Sequence, residues 1–263
     1  MRRPPFSSAA ANSVLYRVGA RCTFGHMEMA RRVAGGGSCA LIALAALALL
    51  LLPSPAAAGT VSTSSGDIVF SASAGEANRV TISPTETGSV RVVDLGAPLT
   101  ASGECAVEDA NTAVCPWSEI SYVDLGDLDD TLTRPPFSFF LVETKIRAGE
   151  GNDYVTGGES SDWIYGGPGD DTLNGGDNFD YLDGGHGNDV LRGGRRPDRL
   201  YGRWGNDVLE GGHGRDRAIG GPGDDLFRMR DAFRDNVWGQ LGYDRASVDR
   251  RRFDRLFGVE ELL

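Results

Sequence analysis

Nine aspartates stand nine residues apart in the second half of the chain: Asp153, Asp162, Asp171, Asp180, Asp189, Asp198, Asp207, Asp216 and Asp225. Two positions after each comes an apolar residue: Val155, Ile164, Leu173, Leu182, Leu191, Leu200, Leu209, Ala218 and Phe227. From Ala148 to Arg228 the sequence divides without a gap into nine nonapeptides: AGEGNDYVT, GGESSDWIY, GGPGDDTLN, GGDNFDYLD, GGHGNDVLR, GGRRPDRLY, GRWGNDVLE, GGHGRDRAI and GGPGDDLFR. Glycines at positions one, two and four allow positive φ and let carbonyl oxygens converge, and the Asp at position six adds a carboxylate at the end of the turn. Carbonyl and carboxylate oxygens are the donors of hard cations, six to eight of them around Ca²⁺ at about 2.3–2.6 Å. Zn²⁺ would call for Cys or His in tetrahedral sets. The stretch offers only His186 and His213, both at the variable third position.

The elements that hold these aspartates follow from the same spacing. In the phrase x-U-x after each Asp, the apolar residue points to one face of a strand and its neighbours to the other. Each block thus supplies one short strand with one inward side chain, and six residues remain to reverse the chain. The blocks resemble the calcium-binding nonapeptide G-G-x-G-x-D-x-U-x of RTX (hemolysin-type) proteins. That resemblance implies an all-β chain, a parallel β-roll (β-solenoid) whose successive blocks alternate between two sheets, so that loops n and n+2 stack on one edge, with Ca²⁺ as the bound ion.

The stacking gives meaning to an alternation between blocks. Odd blocks keep glycine at position four (Gly151, Gly169, Gly187, Gly205, Gly223) and Asn or Asp at position five. Even blocks carry Ser160, Asn178, Arg196 and only once a glycine, Gly214, at position four. The candidate metal residues are therefore these five odd-block glycines with Asp153, Asp171, Asp189, Asp207 and Asp225, which make four inter-loop sites. Asp162, Asp180, Asp198 and Asp216 form a second, weaker set, because Arg195, Arg196, Arg199, Arg215 and Arg217 place cationic charge where a second calcium row would lie. The competing reading is that the even loops have drifted in sequence and still bind. Arg203, at position two of block 7, interrupts the better edge.

Upstream, Leu125 to Thr133 reads as a degenerate block with Asp130 at position six, and Phe139 to Arg147 as another with Thr144 there, separated by the inserted Arg134 to Ser138. Asp67 to Ser71, Arg79 to Ser83 and Ser89 to Asp94 alternate as strands do. They form an N-terminal β-rich segment that seals the first coil. Downstream, Asp235, Asp244 and Asp254 repeat the Asp-x-apolar phrase, without glycine turns, amid Phe227, Phe233, Trp238, Tyr243, Phe253 and Phe257. This reads as a C-terminal cap that closes the open end with aromatics, the alternative being an aromatic ligand-binding patch. The resulting division is 1–58, 59–123, 124–228 and 229–263.

Residues 1–58 read as an address. Arg31 and Arg32 precede a 13-residue apolar run, Ala40 to Leu52, then Pro53, Pro55 and Ala56 to Ala58, in the order of a secretory signal peptide cleaved near Ala58. The run falls short of the roughly 20 residues of a spanning helix; an uncleaved anchor is the alternative. A start at Met27 or Met29 would give the signal a conventional length. Cleavage leaves two cysteines, Cys105 and Cys115, which in an exported chain read as a disulfide; a thiol nucleophile or metal ligand would need a histidine close by.

The formal net charge of −11 argues against a nucleic-acid partner, and cations are its natural counterpart. The sequence lacks H-E-x-x-H, G-x-S-x-G and P-loop motifs. The mature part has no long apolar or amphipathic stretch for membrane insertion. The expectation is a secreted, non-enzymatic calcium-binding protein that folds on meeting extracellular calcium. The alternative is a cell-surface or matrix adhesion protein presenting a calcium-rigidified roll to a protein or glycan.

Overall fold

A computed structural model of the chain describes residues 59–64, 67–116, 119–134, 143–249 and 254–263. The secretory-signal reading of 1–58, and most of the insertion between the two upstream blocks, lie outside the described residues. Within them the chain is all strand, wound as a parallel β-roll from two sheets of 11 and 12 strands. Successive blocks alternate between the sheets. Tyr154–Gly158, Thr172–Gly176, Val190–Arg195, Val208–His213 and Leu226–Met229 stack in one. Asp162–Pro168, Tyr181–His186, Arg199–Trp204 and Arg217–Pro222 stack in the other.

The register repeats at one coil per two blocks: Val155 lies beside Leu173 and Leu173 beside Leu191. Upstream, Leu132 pairs with Val155 and Val123 with Ile146, so the degenerate block around Asp130 is a full coil member and the insertion leaves the helical path unbroken. The core is two columns of position-eight side chains facing each other. All nine are fully buried, as are Val123, Leu132, Ile146, Val237 and Ala246, which continue the columns at both ends.

The N-terminal strands add to the same two sheets and share the roll's core. Asp67–Ser71 lies parallel to Ile120–Asp124 and antiparallel to Gly59–Ser64. Arg79–Pro84 lies parallel to Thr131–Thr133 and antiparallel to Val90–Asp94. Two antiparallel hairpins thus continue the sheets upstream of the first coil. Cys105 and Cys115 are joined in a disulfide that ties the chain beside Ala106–Asp109 to the end of Thr112–Cys115.

The C-terminal reading needs two corrections. One of the three downstream phrases keeps its glycine turn: Gly239 and Gly242 fall at positions one and four of a nonapeptide carrying Asp244 and Ala246, and Gly242 has φ 146°. Asn236–Leu241, Arg245–Val248 and Arg255–Phe257 therefore extend the sheets. Nor do aromatics close the end, since Phe233, Tyr243 and Phe257 are about half exposed and Phe253 lies outside the described residues. Val248, Leu256 and Val259 pack against the core instead. Of the described C-terminal aromatics, only Phe227 enters a column, fully buried at position eight of its block.

Because each coil contributes only two inward side chains, a single truncation at mid-roll has no neighbour to refill it. Leu191→Ala should cost about 2–5 kcal/mol in urea unfolding monitored in excess calcium. Leu95→Ala, at a side chain 63% exposed, should stay within about 0.5 kcal/mol.

Candidate metal centre

The position-six aspartates form two columns, one on each edge of the roll, and each carboxylate divides its work in the same way. In every one but Asp162, whose neighbour one coil earlier is Thr144, Oδ1 accepts the backbone N–H of the corresponding Asp one coil earlier. On the odd edge Asp153 donates to Asp171, Asp171 to Asp189, Asp189 to Asp207 and Asp207 to Asp225, at 2.8–2.9 Å. On the even edge Asp162 donates to Asp180, Asp180 to Asp198 and Asp198 to Asp216. Oδ2 of all nine is buried and has no hydrogen-bond partner. The ladders run past the nonapeptides: Asp130 joins the odd column below Asp153, and Asp244 and Asp235 join the two columns at the far end. Their Oδ2 atoms are orphaned as well.

The space beside each orphaned oxygen is defined by the glycine at position one. A Cβ built on Gly157 would lie 2.6 Å from Asp162 Oδ2 and 2.7 Å from the carbonyl oxygen of Gly175, one coil on. The same two kinds of oxygen, carboxylate and next-coil glycine carbonyl, bound the spaces at Gly184 and Gly193. Any side chain would fill this cradle, so glycine keeps open an oxygen-lined gap. Among the described residues no three His, Cys, Asp or Glu side chains converge on one point. The donor set is one carboxylate per loop supplemented by backbone carbonyls, which suits a hard, flexibly coordinated Ca²⁺ and offers nothing to a soft metal.

The edges match in their carboxylates and differ in the loop that leads to them. At position four the odd-edge glycines have φ between 128° and 146° (Gly151, Gly169, Gly187, Gly205, Gly223), outside the range of other residues. On the even edge Asn178 and Arg196 stand at φ 75° and 80°, the left-handed region that Asn tolerates. The odd edge also carries a second, exposed ladder at position five, running the opposite way. Asp170 N–H donates to Asn152, Asn188 to Asp170, Asn206 to Asn188 and Asp224 to Asn206. Ser161, Phe179, Pro197 and Arg215 stand at that position on the even edge. The alternation read from the sequence is thus an alternation of backbone conformation.

Arg203 leaves the odd edge intact. It takes a positive φ of 84° and turns its guanidinium outward onto Asp183, 2.6 Å away. Arg134 acts differently, and nothing in the repeat pattern pointed to it. It is the first residue of the insertion, and its buried guanidinium pairs with Asp162 Oδ1 at 2.9 Å. A protein cation therefore fills the first even-edge position. Asn78 and Glu260 were also missed; they end the odd ladder, Asn78 N–H donating to Asp130 and Glu260 accepting from Asp244. Neither lies in a nonapeptide.

Stripped of water and lacking a counter-charge, these carboxyls are driven toward the neutral form, with burial as the largest cause at each. Asp153, Asp207 and Asp216 rise to about 6, Asp130 and Asp171 to about 7, Asp189, Asp198, Asp225 and Asp235 to about 8, and Asp180 to about 9. Repulsion between neighbouring coils adds to the rise, as Asp171 and Asp207 do at Asp189.

The RTX calcium-binding nonapeptide repeat matches the chain in four overlapping copies, over residues 147–182, 165–200, 183–218 and 201–228. Among curated proteins, none matches the chain. RTX nonapeptides bind Ca²⁺, and the orphaned oxygens and open cradles lie in the matched segment.

The raised carboxyls set the sign of a pH effect. A carboxyl whose folded pKa exceeds its unfolded value of 3.8 favours folding when protonated, fully so below about 4, and that contribution is lost as pH rises through about 6–9. Metal-free protein should therefore gain β-structure on acidification from pH 8 to pH 5. In saturating calcium, acidification over the same range should instead weaken binding, because protons compete for the ligands. Circular dichroism at both calcium levels checks this; a metal-free spectrum constant over that range would contradict the assignment of the carboxylates as buried.

Proposed function

We propose that this RTX-repeat protein is a secreted, non-enzymatic calcium-binding module whose β-roll is assembled by extracellular calcium. The observation that carries the reading is the column of buried, unpartnered Oδ2 atoms, each beside a glycine cradle. A buried charge without a partner is strongly destabilising, and a divalent cation shared between successive loops removes both the charge and the orphaned acceptor. Export is supported by the presequence, by the pairing of Cys105 with Cys115, which belongs to oxidising compartments, and by a donor set suited to millimolar calcium. Against catalysis stands the burial of the aspartates: each position-six carboxyl lies inside the roll with one oxygen in its ladder, and His186 and His213 are exposed at loop position three.

The odd edge is proposed as the calcium row, with Asp153, Asp171, Asp189, Asp207 and Asp225 as carboxylate ligands and the loops of Gly151, Gly169, Gly187, Gly205 and Gly223 supplying carbonyl oxygens. The wide φ at position four turns those loops in a way the even edge does not share. Asp162, Asp180, Asp198 and Asp216 make up the weaker row, shortened by the Arg134 guanidinium. The adhesion reading keeps its standing through one feature, the aromatic and cationic outer face of the sheet containing Trp163 and Tyr181.

The two rows separate by mutation. Asp189→Ala removes a carboxylate shared by two odd-edge sites and should lower the calorimetric calcium stoichiometry and raise the calcium midpoint of folding several-fold. Asp180→Ala and Asp198→Ala occupy the same loop position with the same burial, and should stay near wild type. Equal losses in all three would place calcium on both edges.

A further inference from the structure

The outer face of one sheet differs from the rest of this acidic molecule. Trp163, Tyr181, Arg199 and Arg217 lie side by side on consecutive coils, each in register with the next. On the adjoining even-edge loops Ser161, Phe179, Pro197 and Arg215 occupy the corresponding position five. Together they line an open groove of about 450 Å³ that runs along the roll axis. Its first half is aromatic. Trp163 stacks on Tyr181 with ring centroids 4.9 Å apart, Tyr181 lies 5.0 Å from Tyr201, and Phe179 is 62% exposed. Its second half is cationic. Arg199, Arg215 and Arg217 are exposed and form no ion pair with any described residue, although Arg217 lies over the Trp238 ring at 4.7 Å.

Three acids also line the groove. Asp180 and Asp198 are buried in the even ladder, and Glu143 stands exposed at the aromatic end. Consecutive coils advance by about 4.8 Å, so the Phe179/Tyr181 pair and the Arg215/Arg217 pair, two coils apart, are separated by roughly 10 Å. A ligand matching this order is linear, presents an apolar ring face at one point and places an anion about two coils further on.

We propose that this groove binds a uronate-bearing polysaccharide, a sugar ring lying on the exposed Phe179 beside the Trp163–Tyr181 stack and a carboxylate paired with the cluster of Arg199, Arg215 and Arg217. The apolar C–H face of a pyranose suits a broad exposed aromatic, and planar guanidinium suits a carboxylate in bidentate fashion. A nucleic-acid strand with a charge on every unit would set phosphates against Glu143 as well as the arginines, on a chain whose net charge is already −11. A sugar chain with carboxylates on alternate rings avoids that acid. The proposal rests on the reading that calcium folds the roll, because the groove is made of residues from four separate coils.

The test uses a hyaluronan octasaccharide, with a neutral cello-oligosaccharide and (dT)12 as comparison probes, all in excess calcium. Tryptophan fluorescence and calorimetry follow binding, and circular dichroism verifies that each variant is folded. Hyaluronan should bind saturably, about tenfold or more weaker to Arg199→Ala/Arg217→Ala, since each lost charge-assisted contact is worth about that factor. Phe179→Ala should weaken it several-fold, and Arg91→Ala, outside the groove, should leave it unchanged. The neutral oligosaccharide and (dT)12 should bind more weakly than hyaluronan. Folded protein that ignores hyaluronan, folded variants that bind like wild type, or tighter binding of (dT)12 or of the neutral chain would each overturn the proposal. Wild-type protein that stays unfolded in calcium would instead overturn the reading of calcium-assembled folding.

Discussion

The buried carboxylate that accepts one hydrogen bond and leaves its second oxygen without a partner is the constraint on which this structure depends. Oδ1 of each position-six Asp ties its loop to the loop one coil earlier, so the columns act as longitudinal struts. The same placement strands Oδ2 away from water. A backbone that packs one aliphatic per strand has no surplus core to absorb that burden twelve times, at Asp130, Asp153 to Asp225, Asp235 and Asp244. Geometry therefore makes the fold and its cation two aspects of one equilibrium, in which the protein supplies oxygens at fixed spacing and the ion removes their mutual repulsion.

Glycine is the second half of that constraint. At position one it is needed for space rather than for φ, since a Cβ would collide with the carboxylate oxygen and the next carbonyl. At position four of the odd loops it is needed for conformation, φ there lying between 128° and 146°. These separate reasons explain why the even edge could lose position four to Asn178 and Arg196 and retain Gly175 and Gly193 at position one. At the first even-edge position Arg134 brings a compensating charge to Oδ1 of Asp162.

Much of this was legible because the repeat links three periods that physics holds together: nine residues per strand and turn, one inward side chain per strand and one carboxylate per turn. The register Leu173 to Leu191 and the burial of every position-eight residue follow from it directly. The upstream block around Asp130 was readable through a five-residue interruption because Asp-x-Leu survived. What escaped lay in single substitutions. Gly239 and Gly242 were hidden by the irregular segment before them, where Asp235 sits one residue late. Arg134 was hidden because a guanidinium reaching Asp162, 28 positions away, leaves no local pattern. The aromatics near the C-terminus misled because large apolar residues suggest a core, whereas Phe233, Tyr243 and Phe257 fall outside the position-eight phase held by Val237, Ala246 and Leu256 and stay about half exposed.

Far-UV circular dichroism of the protein through a calcium titration at neutral pH, starting from EDTA, tests the dependence of the fold on its cation most directly. Little β-structure is expected without metal, with a cooperative gain in about millimolar calcium and a much smaller response to Mg²⁺, which resists giving up its waters for carbonyl ligands. A full β spectrum in EDTA, unchanged by added calcium, would contradict that dependence.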